Sequence, residues 1–413
     1  MALSDRSNTY LGPEGILGKK NEYLLPCSFH FYKNPPQLVK GKGTRLWDHN
    51  DKEYIDFFGG VSVMSCGHCN DDINEEVINQ IQQLQHTTSI YLTEPVVNLA
   101  EELSHVLPGS IKRSFFCNSG SEANDGAMTL ARMYTGKEAF VALKGSLHGR
   151  TYLTSGITEI PMWRTDPFLN HLPMYFVENR KELEEVLEEH SQSIAGFIFE
   201  PIQGNGGIKT LEHSFISELI PLLHKHKVLA IADEIQTGFG RTGYMFASEH
   251  YGIIPDIITG AKALGNGFPI GFFATTDGIG HCFTKPSAST LGGNPVSATA
   301  GLAVLKYIKK ENLTNKAKEL GQYLKARLTT LASEYQWIKE VRGFGLMLGV
   351  EIQHEQAPEV TDLILESMKD KGFLIGKNGL NRNVLAFQPP LVITKKEIDM
   401  MLTSLNETFK EIL

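Results

Sequence analysis

One lysine in this sequence has neighbours that suit covalent chemistry. Lys262 lies in residues 259–267, Thr-Gly-Ala-Lys-Ala-Leu-Gly-Asn-Gly, directly after an apolar run. Small residues on both sides leave room for a bulky group, and a lysine that forms a Schiff base needs a pKa lowered by burial. A lone lysine is more often a solvated surface residue. Covalent chemistry at Lys262 is therefore indicated only in combination with the two segments described next.

Residues 118–124, Asn-Ser-Gly-Ser-Glu-Ala-Asn, stand between an apolar run and a helical pattern. Small residues such as Gly120 and Ser121 let backbone N–H groups approach an anion, and a helix N-terminus adds partial positive charge. The segment therefore suits a phosphate or carboxylate. A plain strand-to-helix turn with a serine cap is an equally good interpretation of these residues alone.

Two acids close the apolar run in residues 231–236, Ile-Ala-Asp-Glu-Ile-Gln. A side chain at the carboxyl end of a parallel strand points into the crevice where open α/β sheets bind ligands. Asp233 is therefore a candidate site residue, with an exposed loop carboxylate as the alternative.

The elements that must position these segments alternate along the middle of the chain. We expect strands at 114–117, 139–143, 196–200, 228–233, 257–259 and 271–275, with helices that include 123–133 and 182–189. Strands that alternate with helices predict an α/β fold, with a mainly parallel, doubly wound sheet flanked by helices.

From about residue 302 the pattern changes to a smaller α+β lobe. We expect a long helix over 303–332, a strand with glycine turns over 342–351, a helix over 361–371, a strand over 384–387 and a final helix after residue 394. This divides the chain into an N-terminal arm (1–50), a large domain (51–310) and a small C-terminal domain (311–413).

Composition narrows the classes of function. The net charge of −8, without a block of like charges, argues against a nucleic-acid partner. Residues 1–18 lack the pattern of a signal peptide, and no apolar run reaches the ~20 residues of a membrane span. The odd number of five cysteines favours a reducing compartment. We therefore expect a cytoplasmic protein without a membrane partner. The fragment 66–69, Cys-Gly-His-Cys, has no second cysteine pair, so no metal site is expected.

Taken together and in this order, the motifs resemble those of the class III, fold-type I aminotransferases that depend on pyridoxal 5′-phosphate (PLP). The matching segments are 119–124, His-Gly-Arg-Thr at 148–151, Glu-Pro-Ile-Gln-Gly at 200–204, 233–243, Ala-Lys at 261–262 and Thr-Leu-Gly-Gly-Asn-Pro at 290–295. The resemblance covers roughly residues 35 to 410, and it implies a large PLP-binding domain with a smaller C-terminal domain.

The resemblance also implies roles for matching residues. Lys262 forms the Schiff base with PLP and moves the proton, and Asp233 pairs with the ring nitrogen. Gly120 and Ser121 hold the phosphate, with Thr290 contributed by the neighbouring subunit of a homodimer. The remaining cofactor contacts are expected from Leu147, His148, Glu200, Ile235 and Gln236.

Four positions depart from the pattern of the ornithine-type members. Leu147 stands where an aromatic residue usually stacks on the ring, and Val61 where the ornithine enzymes have a substrate-binding tyrosine. Asn205 and Ala386 replace a Glu–Arg pair whose arginine clamps the α-carboxylate of glutamate. Because both partners are replaced, neither leaves an unpaired buried charge behind. The double replacement therefore indicates altered substrate specificity. Arg150 remains as a carboxylate ligand.

The predicted function is therefore an aminotransferase that moves an amino group from an ω-amino acid or amine to a small 2-oxo acid, with pyruvate or glyoxylate favoured. Two alternatives use the same scaffold: a PLP-dependent lyase acting on an amino compound without an α-carboxylate, and an amino-acid racemase or aminomutase. The fold cannot choose among them.

Overall fold

The structure, a computed structural model that describes residues 10–412, is built around a seven-stranded central sheet. In spatial order its strands are Arg113–Cys117, Gly271–Thr275, Ile257–Gly260, Leu229–Asp233, Ile194–Phe199, Ala139–Leu143 and Met174–Val177. Gly271–Thr275 is antiparallel to both neighbours, and the other pairings are parallel. The predicted mainly parallel α/β sheet is confirmed.

The central strands form because their sequences are apolar without interruption. Every residue of Ala139–Leu143, Ile194–Phe199 and Leu229–Asp233 is buried. Helices cover both faces: Arg180–His190 packs on one and Gly120–Thr135 on the other. A strand buried on both faces has no polar alternation, which is the pattern expected in parallel sheets.

The α-helices share a short to medium length, and several pack their apolar face on a sheet. They are Gly12–Tyr23, Asp71–Gln83, Glu94–Ser104, Gly120–Thr135, Tyr152–Gly156, Arg180–His190, His213–Ser217, Leu219–Lys225, Ala247–His250, Asp277–Gly280, Pro295–Lys310, Leu313–Ala332, Ala357–Asp370 and Lys395–Ile412. Short 3₁₀ turns occur at Pro161–Trp163, Leu169–His171 and Lys262–Leu264.

Two smaller sheets and a hairpin complete the architecture. The strands of the first, an antiparallel sheet, are in spatial order Ile338–Phe344, Met347–Ile352, Val384–Phe387 and Gly376–Asn378. The strands of the second sheet are in spatial order Leu38–Lys42, Arg45–Asp48, Glu53–Asp56 and Phe373–Leu374. The hairpin pairs Ile202–Gln203 with Lys209–Thr210. The second sheet joins residues 38–56 to the C-terminal lobe. The division at residues 50 and 310 stays a prediction.

Two predicted elements are wrong, and one strand was not predicted. The single helix over 303–332 is wrong, because Asn312 adopts a left-handed φ of 52° and separates Pro295–Lys310 from Leu313–Ala332. The predicted strand over 342–351 is a hairpin of two strands that turns at Gly345, whose φ is 54°. Met174–Val177 was not predicted; this edge strand is only partly buried, so it lacks an apolar run.

The predicted N-terminal arm is described from residue 10 onward, and residues 1–9 lie outside the described part of the chain. Its helix Gly12–Tyr23 buries none of its residues. None of the helices between residues 10 and 412 combines the length and apolar character that a bilayer crossing requires.

Candidate active site

A cavity of about 380 Å³ lies beyond the carboxyl ends of the central strands. Crevices at this edge of a parallel sheet are the usual ligand sites of α/β folds. Most of the predicted site residues line the cavity, hereafter the reaction pocket: Gly120, Ser121, Leu147, His148, Arg150, Glu200, Asn205, Asp233, Ile235, Gln236 and Lys262.

Asp233, the last residue of its strand, is almost fully buried and accepts three hydrogen bonds. Asn124 Nδ2 donates to Oδ2 at 2.7 Å, the Ile235 N–H donates to Oδ1 at 3.2 Å, and His148 Nδ1 lies 2.8 Å from Oδ2. A carboxylate has about four acceptor positions. One position therefore remains for a donor in the pocket.

Asn124 has a role that the sequence did not reveal. Its amide also donates to the His148 carbonyl at 2.7 Å, and its Oδ1 accepts from Thr259 Oγ1 at 2.7 Å. Thr259 belongs to the strand that leads to Lys262. Asn124 lies one helical turn after Gly120, on the same face, and that spacing was the available signal.

The helix Gly120–Thr135 begins at the pocket. Ser119 caps it by accepting from the Glu122 N–H at 3.3 Å, and Ser121 Oγ accepts from the Arg150 N–H at 3.0 Å. A Cβ on Gly120 would lie 2.8 Å from Ile235 Cδ1, so only glycine lets Ile235 pack against this helix end. The result is a helix N-terminus whose first residues carry small side chains, which suits an anion.

Lys262 starts a 3₁₀ turn in a left-handed conformation, with a φ of 46°. Residues other than glycine seldom adopt this conformation, and such backbone strain concentrates at functional sites. Burial lowers the pKa of the Lys262 amine, although Asp233 and Glu200 act in the opposite direction. The amine is therefore easier to deprotonate than a surface lysine, as a nucleophile or proton carrier requires.

Glu200 joins two loops of the pocket. Its Oε1 accepts from the Leu147 N–H and its Oε2 from the Gly204 N–H, each at 2.9 Å. Burial raises the pKa of Glu200 to about 7; Asp233 adds to the rise, and His148 and the two amide donors oppose it. Glu200 thereby fixes the loop before Arg150 against the loop before Asn205.

Three predicted residues lie elsewhere. Val61 lines a neighbouring cavity and not the reaction pocket. Ala386 is fully buried in an apolar cluster with Ile202 and Met347. Thr290 is exposed and lines no part of the pocket of its own chain.

Cys66 and Cys69 do not lie in a common metal-binding group. Cys66 is buried, Cys69 is exposed, and both are free thiols. Between residues 10 and 412 no three His, Cys, Asp or Glu side chains are grouped in a way that could hold a metal ion.

Known proteins match this chain over nearly its full length. The family model "Aminotransferase class-III" matches residues 32–409. An Arabidopsis thaliana relative, alanine–glyoxylate aminotransferase 2 homolog 2, mitochondrial, is 41% identical in an alignment of 419 residues, gaps included, that covers 96% of this chain and 88% of the relative.

Two solved structures are also similar. An ornithine aminotransferase from Toxoplasma gondii, described with partial occupancy of PLP at its active site, has a TM-score of 0.89 and 27% identity, covering 97% of this chain and 94% of its own. A phospholyase from Arthrobacter in complex with phosphoethanolamine has a TM-score of 0.87 and 31% identity, covering 96% and 99%. These likenesses confirm the predicted fold type.

The residues of the reaction pocket fit PLP. The helix end at Gly120 suits the phosphate, and the open acceptor position of Asp233 suits a protonated ring nitrogen. Gln236 Nε2 is buried without a hydrogen-bond partner among residues 10–412. Buried donors are normally paired, so this N–H group would suit the oxygen on the ring of PLP. The buried amine of Lys262, with its lowered pKa, would suit the aldehyde of the cofactor.

We predict that Asp233→Asn lowers turnover by several orders of magnitude. Asparagine preserves the shape of the side chain, but without the negative charge the ring nitrogen is no longer held protonated. The measurement is single-turnover kinetics of the PLP-loaded variant. The matched control is Asp256→Asn, because Asp256 accepts from the Ala230 N–H at 2.8 Å outside the pocket. An Asp233→Asn enzyme as fast as this control would contradict the assignment.

Proposed function

Because the chain belongs to the class III aminotransferase family, we propose that it moves an amino group from an ω-amino acid or terminal amine to a small 2-oxo acid, with pyruvate or glyoxylate favoured. Aminotransferase activity and the use of PLP follow from the family match over residues 32–409. The choice of substrates is the proposal, and it rests on the residues that surround the reaction pocket.

The roles proposed for the chain's own residues follow from their positions. PLP, when bound, supplies an electron-withdrawing ring that stabilises charge at the substrate carbon. Lys262, with its lowered pKa, would take a proton from that carbon as general base and would deliver it, as general acid, to the carbon C4′ that was the aldehyde of the cofactor. Asp233 keeps the ring nitrogen protonated, and Ile235 packs on the ring face. Gly120 and Ser121 bind the phosphate.

The observation that carries the substrate proposal is Ala386. It is 0% exposed and packs behind Ile202, which lines the pocket, together with Ile208 and Met347. The protein therefore has a buried methyl group where ornithine-type members have an arginine. Asn205 is uncharged as well. Among the described residues that line the pocket, Arg150 and Lys262 are the cations. Since Lys262 is assigned to proton transfer, only Arg150 is left to bind a substrate anion.

A lyase is the second candidate function, and one observation favours it. The Arthrobacter phospholyase, 31% identical over 96% of this chain, is described in complex with phosphoethanolamine, an amino compound without a carboxylate. A pocket with one available arginine also suits a substrate with a single anionic group. Release of ammonia and phosphate without any 2-oxo acid acceptor identifies this reaction.

A cytoplasmic location stays part of the proposal. Cys27, Cys66, Cys69, Cys117 and Cys282 are all free, which suits a reducing compartment. The mitochondrial designation belongs to the Arabidopsis relative.

We further propose a homodimer in which Thr290 completes the phosphate site of the other subunit. Large apolar side chains are exposed close to Thr290: Leu291 is 55% exposed, and Ile90, Tyr91, Leu92 and Val97 are 60% exposed or more. Gly293 lies against Val96, since a Cβ on Gly293 would lie 2.9 Å from Val96 Cγ2, so the segment after Thr290 is adjacent to the start of the helix Glu94–Ser104. Exposed apolar surface of this extent is typical of an interface.

The substrate proposal predicts that ω-amines and β-amino acids with pyruvate outperform glutamate or ornithine with 2-oxoglutarate. Loss of a charge-assisted bidentate clamp costs roughly 2–4 kcal/mol, or about 30- to 1000-fold in kcat/KM. Arg150→Ala should raise KM for anionic substrates more than for neutral amines. Arg327→Ala, at an exposed ion pair with Asp399, is the control. Glutamate or ornithine ranking above every ω-amine and β-amino acid tested would overturn the proposal.

The dimer proposal predicts complementation between two defective chains. Lys262→Ala removes the reactive amine and Thr290→Ala weakens the phosphate site, so each homodimer should have little activity at limiting PLP. If Thr290 acts in trans, random reassociation of equal amounts restores native composition at about a quarter of the sites. Activity that stays at the mean of the two homodimers would show that Thr290 acts within its own chain or not at all.

A further inference from the structure

A second cavity of about 420 Å³ opens beside the reaction pocket. The two cavities share Leu147, Gly149, Arg150 and Asn205 as lining residues, so a ligand can extend from one into the other. We call this second cavity the aromatic chamber, because its far walls consist mainly of the rings of Phe29, Phe31, Phe58 and Trp163, with His30 and Val61 beside them.

The four rings form a continuous apolar wall. The ring centroids of Phe29 and Trp163 are 5.8 Å apart, those of Phe29 and Phe31 6.0 Å, and those of Phe31 and Phe58 5.7 Å. Among the chamber's lining residues in the described chain, Arg150 is the one with a permanent charge, and none is acidic. A distal ammonium group would therefore find no carboxylate in the chamber and would share it with the Arg150 guanidinium, so that ring faces are its main partners. An alkyl or aryl group would be removed from water against the same rings.

Contacts with the C-terminal lobe hold the N-terminal wall of the chamber in place. Tyr32 Oη donates to the Ile375 carbonyl at 3.0 Å, and Lys369 Nζ donates to the Asn34 carbonyl at 3.2 Å. Lys377 Nζ lies 5.9 Å from the ring centroid of Phe31. The wall formed by residues 29–31 is therefore anchored through neighbouring residues.

The opposite wall is held by an unusual turn. Residues 59–62 all have positive φ, including Val61 at 64°, which is rare for a β-branched residue. Asp56 Oδ1 stabilises the start of this turn by accepting from the N–H groups of Phe58 and Gly59, each at 2.8 Å. The strained turn places Val61 against the chamber, and strain of this kind is retained where a site needs it.

We propose that the aromatic chamber binds the apolar tail of the amino donor, so that the enzyme prefers amines or ω-amino acids with an alkyl or aryl substituent of several carbons. This inference rests on the proposed function, because it places the reacting amine beside Lys262. Arg150, at the junction of the cavities, then binds a carboxylate where the donor has one, and the substituent continues past it.

The test is a series of straight-chain amines from propylamine to hexylamine with pyruvate as acceptor. Each methylene that enters the chamber should raise kcat/KM about threefold to fourfold, the effect of removing one CH₂ from water. Phe29→Ala and Trp163→Ala should flatten this series, so that hexylamine loses its advantage in kcat/KM over propylamine. Phe29 is 53% exposed, so its replacement does not disturb the core. Phe168→Ala, at a 66% exposed ring outside the chamber, should keep the wild-type slope.

Binding of unreactive alcohols separates failure of the chamber from failure of the proposed function. Hexan-1-ol should change the tryptophan fluorescence of the holoenzyme at lower concentration than propan-1-ol, and Trp163→Phe should abolish the change. If neither propylamine nor any ω-amino acid or β-amino acid tested reacts with pyruvate, the proposed function fails and this binding signal alone decides the inference. If propylamine reacts but the amine series is flat, or hexan-1-ol gives no Trp163-dependent signal, the chamber does not bind apolar tails.

Discussion

Asp233 is held by donors from three separate parts of the chain, and the geometry of the whole site depends on that arrangement. Asn124 reaches it from the helix Gly120–Thr135, His148 from the loop after the strand Ala139–Leu143, and Ile235 from the loop that follows Asp233. An unpaired buried carboxylate is very unfavourable, whereas each charge-assisted hydrogen bond contributes roughly 1.5–3 kcal/mol. Because Asn124 also binds Thr259, the acid and the strand that precedes Lys262 are fixed relative to each other.

The same burial sets the charges that transamination requires. Desolvation lowers the pKa of Lys262 and raises the pKa of Glu200 to about 7, so it favours the neutral form of both groups. Asp233 accepts three hydrogen bonds and keeps an open acceptor position toward the pocket. A lysine whose amine is easier to deprotonate than usual, close to this carboxyl group, is the combination in which one group accepts a proton while the other pairs with the ring nitrogen.

The sequence predicts those structural features that are determined by residues close together in the chain. The strands Ala139–Leu143 and Gly271–Thr275 match their predicted bounds because complete burial leaves an uninterrupted apolar run. The break at Asn312 was missed because one residue in a left-handed conformation interrupts a pattern that otherwise continues. The aromatic chamber could not be predicted, since its rings come from positions 29, 31, 58 and 163 and meet only in the folded chain. The contact of Thr290 with another subunit stays a prediction, because it depends on how two chains assemble.

The central claim is that Lys262 carries the cofactor, and one measurement tests it most directly. Sodium borohydride reduction of the purified holoenzyme, followed by proteolysis and mass spectrometry, locates the lysine to which PLP is covalently attached. The account predicts a pyridoxyl phosphate group on the peptide that contains Lys262, and no such label in the Lys262→Ala enzyme. A label on any other lysine of the wild-type chain would contradict it.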